Sequence, residues 1–511
     1  MRYLIRLCIL FSVAVSVAVS SLTAAEVQPV KYVFLFIGDG MSLPQRQIAE
    51  EYMQKTKQHG LKINAMPFQS LTTTHSADNY VTDSAASGTA IACGTKTNNG
   101  CLGLDPKGKR LESVAEAAHK NGRKVGIITS VTINHATPAA FYARSVSRNN
   151  YYEIGLDLIA SGFDYFGGGG IADHDDKKSE KYKGDLYELA KKAGYTVART
   201  EAEIAAVTKG SGKVIAAGNK DALPYAIDEP SGGLRLADFT RQAIELLDNP
   251  AGFFIMVEGG KIDWACHDND AATAVHEVIE FDNAVSAAFQ FAEKHPKDTL
   301  ILVTADHETG GLSVGNVTKQ NTVFIQLLKA QKASVGELAK LAGMSNKEMT
   351  ETDEQRSERS RRFVTENTGL LFTEEGKWSP GNLHLTKEEM KLIQDVFTKP
   401  GKDIAKTLVK ILNKKAGLFW TSGNHSSLPV NTSLWGNQAG TIADNIRDNT
   451  DIAKQLKQAV QPVTKSRVVP QTAEPKAAEL PVRPRYERKM QRQERKIQAR
   501  TRGYFSPFCY C

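Results

Sequence analysis

The chain alternates between short, unbroken apolar runs and longer stretches of helical periodicity. Lys31-Tyr-Val-Phe-Leu-Phe-Ile-Gly-Asp-Gly40 is apolar at consecutive positions and closed by glycines. That pattern predicts a strand buried on both faces, the usual state of a strand inside a parallel sheet. Val125–Ser130, Phe253–Val257 and Thr299–Thr304 repeat it. Helical patterns over Leu111–Asn121, Leu236–Leu247 and Ala271–Glu293 lie between these runs. Strands alternating with helices predict an α/β fold with a mostly parallel central sheet and helices on both faces. Residues 315–420 break the alternation and read as a helical insertion. Ser334-Val-Gly-Glu337 and Thr386-Lys-Glu-Glu389 have the form of capping boxes, and Met390, Ile393 and Phe397 make an apolar stripe. The charged run Glu354 to Arg362 reads as a solvated loop between those helices.

The four apolar runs share a feature at their ends. Asp39 follows the first, Asn134-His135-Ala136-Thr137-Pro138 lies beyond the second, Glu258 follows the third, and Asp306-His307 follows the fourth. Open α/β sheets place their sites at the carboxyl ends of strands. One such polar end is explained by a loop or a helix cap; four at equivalent positions are not. Between the first two runs stands Tyr80-Val-Thr-Asp-Ser-Ala-Ala-Ser-Gly-Thr-Ala-Ile-Ala-Cys93, which predicts a helix starting near Ser84. A serine there faces unpaired backbone N–H groups and the positive end of the helix dipole, an environment suited to phosphate. Capping is the commoner use of Asp83 or Ser84. Asp263 and His267 stand four apart, on one face of a helix, close enough to share a metal ion. Carboxylate with imidazole suits zinc, and His425, flanked by Gly423, is a candidate third ligand far along the chain.

Composition changes the picture at the two ends. Arg2 and Arg6 precede an apolar run from Leu7 to Val19 and the small residues Thr23-Ala24-Ala25, so residues 1–25 read as an export signal. The mature chain is then expected in the periplasm or secreted, where disulfides are permitted. Five cysteines remain, Cys93, Cys101, Cys266, Cys509 and Cys511, an odd number that leaves at least one unpaired within a monomer. The net charge of +7 belongs to the ends: residues 461–511 carry 12 Lys/Arg against 4 Asp/Glu, and residues 26–460 sum to −3. The domain organisation read from the sequence is a leader at 1–25, a catalytic α/β body at 26–314 and 421–460, the insertion at 315–420, and a basic tail at 461–511. The tail reads as a tether for anionic surfaces, with no recognisable nucleic-acid fold.

Taken together, these stretches resemble the alkaline phosphatase family. The pieces are Gly38-Asp39-Gly40-Met41, Val81-Thr-Asp-Ser-Ala-Ala86, His135-Ala-Thr-Pro-Ala-Ala140, Ser147-Arg148, Glu258-Gly-Gly-Lys-Ile-Asp263 with His267, Thr304-Ala-Asp-His307, and His425. Each is weak alone; the ordered set is specific. The resemblance implies hydrolysis of phosphate monoesters through a phosphoserine on Ser84, with two zinc ions and one magnesium per chain. Asp263, His267 and His425 would hold one zinc; Asp39, Asp306 and His307 the second, next to Ser84. Asp39 would also reach a magnesium site completed by Thr137 and Glu258. Arg148 would clamp the phosphate, with His135 beside it. The resemblance also implies a homodimer. Three positions depart from the common pattern: Ser42 where Gly is frequent, His135 where some bacterial members have Asp, and Trp264 where others have Lys or His. Two other readings compete: a phosphodiesterase or sulfatase-like hydrolase of the same broad superfamily, and a phosphate- or metal-binding protein without turnover. Ser84 as the nucleophile and the presence of Arg148 favour the monoesterase, and the complete ligand set argues against loss of turnover.

Overall fold

The structure is a computed structural model that describes residues 28–229, 232–315, 323–345, 352–373, 381–397 and 402–462. The expected leader and the tail beyond residue 462 lie outside these residues. Thirteen strands are present among them: β1 (Tyr32–Gly38), β2 (Phe68–Thr72), β3 (Lys124–Thr129), β4 (Tyr165–Gly168), β5 (Tyr195–Ala198), β6 (Lys213–Ala217), β7 (Phe253–Gly259), β8 (Thr299–Thr304), β9 (Glu308–Thr309), β10 (Leu312–Val314), β11 (Leu418–Trp420), β12 (His425–Ser426) and β13 (Val430–Gly436). Nine of them form one sheet in the order β2-β13-β8-β1-β7-β3-β4-β6-β5. All pairings are parallel except those of β13, which runs antiparallel to β8 and β2.

The four apolar runs are the four adjacent central strands β8, β1, β7 and β3. In β1, Tyr32, Phe34 and Phe36 enter the hydrophobic cluster on one face of the sheet. Val33, Leu35 and Ile37 enter the cluster on the other face. A strand covered on both sides must be apolar at every position, which is why periodicity two is absent from these runs. The register sets Ile37 beside both Glu258 and Thr304, so the polar residues that end these strands gather at one edge of the sheet.

Residues 315–417 lie between β10 and β11, which pair antiparallel, and Ile325, Leu328, Leu412 and Ala416 of this stretch join the same hydrophobic cluster as Phe34 and Phe36. The helices Val335–Ser345, Asp353–Thr368, Lys387–Phe397 and Lys402–Ala416 fall in this stretch. Of the two expected capping boxes, the one at Thr386 forms: Glu389 N donates to Thr386 Oγ1 at 3.1 Å and Thr386 N to Glu389 Oε2 at 3.0 Å. At Ser334 only half forms: Ser334 Oγ accepts from Glu337 N at 3.3 Å, but Ser334 N donates to Asp228 Oδ1 at 2.7 Å rather than to Glu337, because the nearer carboxylate takes it. The expected charged loop at Glu354–Arg362 is instead part of the helix Asp353–Thr368. Its start is capped by Thr352, whose Oγ1 accepts from Gln355 N, and Glu, Gln and Arg are good helix formers. Val364 is its only fully buried apolar residue, so the run carries too little apolar periodicity to read as helix. Among the described residues, no helix is long and apolar enough to cross a membrane. Cys93, Cys101 and Cys266 are free thiols, and Cys509 and Cys511 lie outside the described residues.

Candidate active site

Ser84 is the first residue of the helix Ser84–Cys93, and Asp83 is its N-cap, accepting from Ala86 N at 3.0 Å. The cap and the helix-start serine therefore coexist: Asp83 Oδ1 accepts from Ala86 N within the helix and from Gly100 N outside it, while Ser84 Oγ takes a different partner. That hydroxyl is 3.3 Å from His307 Nε2. The other oxygen of Asp83 accepts from Arg148 Nη1 at 3.0 Å, and Arg148 Nη2 lies 3.4 Å from His135 Nε2.

Three groups of ligand atoms cluster around this serine. In the first, His267 Nε2 lies 3.2 Å from Asp263 Oδ2 and 3.2 Å from His425 Nε2. Each imidazole is oriented from behind. His267 Nδ1 meets the carbonyl of Gly423 at 2.7 Å, and His425 Nδ1 meets that of Thr82 at 2.9 Å. With the proton on Nδ1, each Nε2 presents a lone pair to the same point. Thr309 Oγ1 donates to Asp263 Oδ1 and fixes the carboxylate. In the second group, His307 Nε2 is 3.3 Å from Asp306 Oδ2 and 3.5 Å from Asp39 Oδ1. Asp306 Oδ1 accepts from Gly40 N and His307 N, which leaves Oδ2 free. The third group joins Asp39, Glu258 and His135. Thr137 Oγ1 lies 3.3 Å from Asp39 Oδ2, and Thr129 Oγ1 donates to Glu258 Oε2. The rings of His307 and His425 stack with centroids 3.6 Å apart, so the first two groups are direct neighbours.

The electrostatics show what the cluster lacks. Burial, with Asp306 close by, pushes the Asp39 carboxyl well above its ordinary range. Burial, with Asp263 close by, does the same to Asp306, and burial pushes Glu258 up to about 7. Burial would raise Asp263 too, but its hydrogen bond with His267 holds it low; that bond in turn lifts His267 to about 9. Burial, then the neighbouring His425, holds His307 far below its usual value, so it is a neutral donor. Asp39 Oδ1, Asp306 Oδ2, Glu258 Oε1 and His135 Nδ1 are shielded from solvent without any hydrogen-bond partner. Unpaired buried oxygens in a like-charged group are costly unless a cation joins them. The donor sets of the first two groups, carboxylate with imidazole, fit zinc.

Every site residue expected from the sequence is brought to this edge of the sheet, and Asp39, Glu258, Asp306 and His307 come from the ends of β1, β7 and β8. His425 arrives through β12, which pairs antiparallel with β9 and sets His425 opposite Thr309. Glu308 ties that ladder down, accepting from Gln45 Nε2 at 2.8 Å and from Ser426 Oγ. Gly40 adopts φ +69° and passes so close that a Cβ there would sit 2.9 Å from Asp263 Cα. The supporting residues Thr129, Thr309 and Glu308 were not foreseen. Thr309 stands two positions after His307, but nothing in its neighbourhood marks a hydroxyl aimed at Asp263. A cavity of about 520 Å³ opens beside His135 and Trp264 and is also lined by Tyr151 and Tyr225.

A parallel sheet with paired metal-donor groups at its strand ends, a helix-start serine between them and an arginine facing it defines a metal-dependent hydrolase of phosphate esters. Comparison with known proteins narrows the class. The profile of the alkaline phosphatase family matches residues 30–462, and the chain belongs to that family. It is 32% identical to alkaline phosphatase 3 of Bacillus subtilis over 447 residues, covering 84% of this chain and 89% of the relative. Among solved structures it resembles the cold-active alkaline phosphatase of the psychrophile Shewanella sp., with TM-score 0.71 and 28% identity over 84% of this chain and 99% of the other. It also resembles a variant of TAB5 alkaline phosphatase with Mg bound in its M3 site, with TM-score 0.60 and 25% identity over 86% of this chain and 99% of that one. The protein is thus a metal-dependent phosphomonoesterase.

Proposed function

We propose that this chain hydrolyses phosphate monoesters through a phosphoserine on Ser84, with two zinc ions and one magnesium in the three donor groups. The observation that carries the reading is Ser84 Oγ, at a helix start, 3.3 Å from His307 Nε2, which itself lies 3.3 Å from Asp306 Oδ2 and 3.5 Å from Asp39 Oδ1, two buried oxygens without hydrogen-bond partners. Asp263, His267 and His425 would hold one zinc; Asp39, Asp306 and His307 the other; Asp39, Thr137 and Glu258 the magnesium. Bound there, the metal ions would neutralise the dianionic substrate, acidify the Ser84 hydroxyl and the attacking water, and stabilise the leaving oxygen.

The chain's own groups supply the rest. The free N–H groups at the start of Ser84–Cys93 and the Arg148 guanidinium receive the phosphate oxygens. Asp83 keeps Arg148 pointed at them. In the first step Ser84 Oγ loses its proton to solvent and bonds to phosphorus as the ester P–O bond breaks; the departing alkoxide takes a proton from water. In the second, a water oxygen bonds to phosphorus, the Oγ–P bond breaks, and Ser84 regains a proton. His135, with burial and then Arg148 lowering it to about 3, stays neutral and adds no charge to the phosphate site. A ring nitrogen of His135 groups with carboxylate oxygens of Asp39 and Glu258, and its buried Nδ1 has no hydrogen-bond partner, so it is a further donor for the third group. We extend the proposal to an exported location and a homodimer, supported by the charged and apolar pattern of residues 1–25 and by the family. Hydrolysis of a chromogenic aryl phosphate by metal-replete protein, with diester and sulfate analogues as controls, tests the reading. Turnover of the diester or sulfate above the monoester would reject it.

A further inference from the structure

Three consecutive residues follow His267 before the next helix begins at Ala271, and each is held by a different side chain or backbone group of the 315–417 segment. The Asp268 carboxylate pairs with Lys406 Nζ at 3.1 Å. The Asn269 carbonyl accepts from Asn413 Nδ2 at 2.7 Å. Asp270 accepts from Gln331 Nε2 at 2.8 Å and from Val335 N at 2.9 Å. Asp270, Gln331 and Asn413 are almost wholly buried, at 1%, 3% and 3% exposed. These contacts are therefore shielded from competing water, unlike the half-exposed Lys406 pair.

The corner they hold is a demanding one. Asn269 adopts φ +54°, and its side-chain Nδ2 donates to Ser422 O at 2.9 Å. The next residue along that strand connection, Gly423, supplies the carbonyl that orients His267. Asp270 also caps the helix Ala271–Ala292 through Thr273 N at 3.1 Å. The corner thus joins the helix that carries Asp263 and His267, the loop that leads to His425, and the inserted helices.

We propose that the 315–417 segment is a brace for one metal site: Gln331 and Asn413 are positioning residues that hold His267 where its Nε2 meets Asp263 and His425. This rests on the metal assignment proposed above. The second group, Asp39, Asp306 and His307, stands on strand ends of the central sheet, and among the described residues none of the three bonds to the segment, so it serves as an internal control.

The test is zinc release from the full chain to a chromogenic chelator, measured for Gln331→Ala and Asn413→Ala. One of two zinc equivalents is expected to bind about tenfold more weakly, the lower end of the range for supporting contacts behind a metal ligand. The other equivalent stays as in the unaltered chain, and saturating zinc restores kcat. Equal weakening of both equivalents, or a lowered melting temperature with both affinities unchanged, would overturn the brace. If the buried variants do not fold, Lys406→Glu on the half-exposed side chain asks the same question. It should weaken the same equivalent a few-fold at low salt and recover at high salt, where surface charges are screened; no change at low salt overturns the proposal. His267→Ala separates the two readings: if it loses no zinc, the metal assignment fails and the brace with it, whereas loss of one zinc equivalent by His267→Ala with unchanged affinities in Gln331→Ala and Asn413→Ala rejects the brace alone.

Discussion

His267 Nε2 and His425 Nε2 lie 3.2 Å apart although 158 residues separate them in the chain. The two nitrogens cannot both carry a hydrogen toward each other, and both rings are turned by carbonyls on their Nδ1 atoms. The pair makes sense as two donors to one ion. His267→Ala and His425→Ala should therefore each remove the same zinc equivalent. The loss should exceed the roughly 10–100-fold that a supporting contact costs. Metal analysis of the two single variants and the double variant checks this: the double should lose no more zinc than either single.

Ser84→Ala should lower turnover about 10³-fold or more, as removal of a nucleophile does elsewhere. Both zinc equivalents should stay, because the first group does not include Ser84 and the second keeps Asp39, Asp306 and His307. Acid quenching with labelled substrate should trap phosphate on the unaltered chain and none on the variant. Label on another residue would remove Ser84 from its role.

Arg148→Ala should raise KM for the monoester and weaken inhibition by free phosphate. A charge-assisted contact is worth about 1.5–3 kcal/mol, so kcat/KM should drop roughly 10- to 100-fold. The partner Asp83 would then be left without its cation. Steady-state kinetics with phosphate as inhibitor reads both effects, and an unchanged inhibition constant would place phosphate elsewhere.

His135→Asp should lower the magnesium concentration needed for half-maximal activity by roughly tenfold, since a hard oxygen replaces a nitrogen beside Asp39 and Glu258. Titration of activity with Mg2+ compares the two forms, and superimposable curves would show that position 135 does not face the third group.

Glu277 offers a pH test on stability. Burial pushes its carboxyl up to about 7, against the opposing charge of Lys261, while Ala226 N donates to it at 2.7 Å. Its folded pKa lies above its unfolded one, so its stabilising contribution is complete below the unfolded value of 4.5 and is lost as pH rises through about 7. Glu277→Gln keeps the acceptor and removes the charge. At pH 9 the variant should be more stable by up to about 3 kcal/mol, with no gain near pH 4. Thermal melts at the two pH values decide it, and an equal change at both would assign the effect to packing.

The central sheet was legible in the sequence because its cause is local. A strand covered on both faces is apolar throughout, and β1, β3, β7 and β8 each show that run followed by a polar end. Asp39, Glu258, Asp306 and His307 could be read from those ends, and Asp263 with His267 from a four-residue spacing. The helix Asp353–Thr368 was missed because it packs so little of its surface that charge dominates its pattern. What only the tertiary structure decided is how distant groups meet. His425 reaches Asp263 because β12 returns to pair with β9 after the long excursion that starts at β10. Thr129, Thr309 and Glu308 act through hydrogen bonds whose partners lie far away in sequence, and a hydroxyl or carboxylate carries no mark of where its partner is. Local sequence sets which atoms are available and which element each rides on; their convergence within hydrogen-bond distance depends on sheet order, register and packing, which are properties of the whole chain.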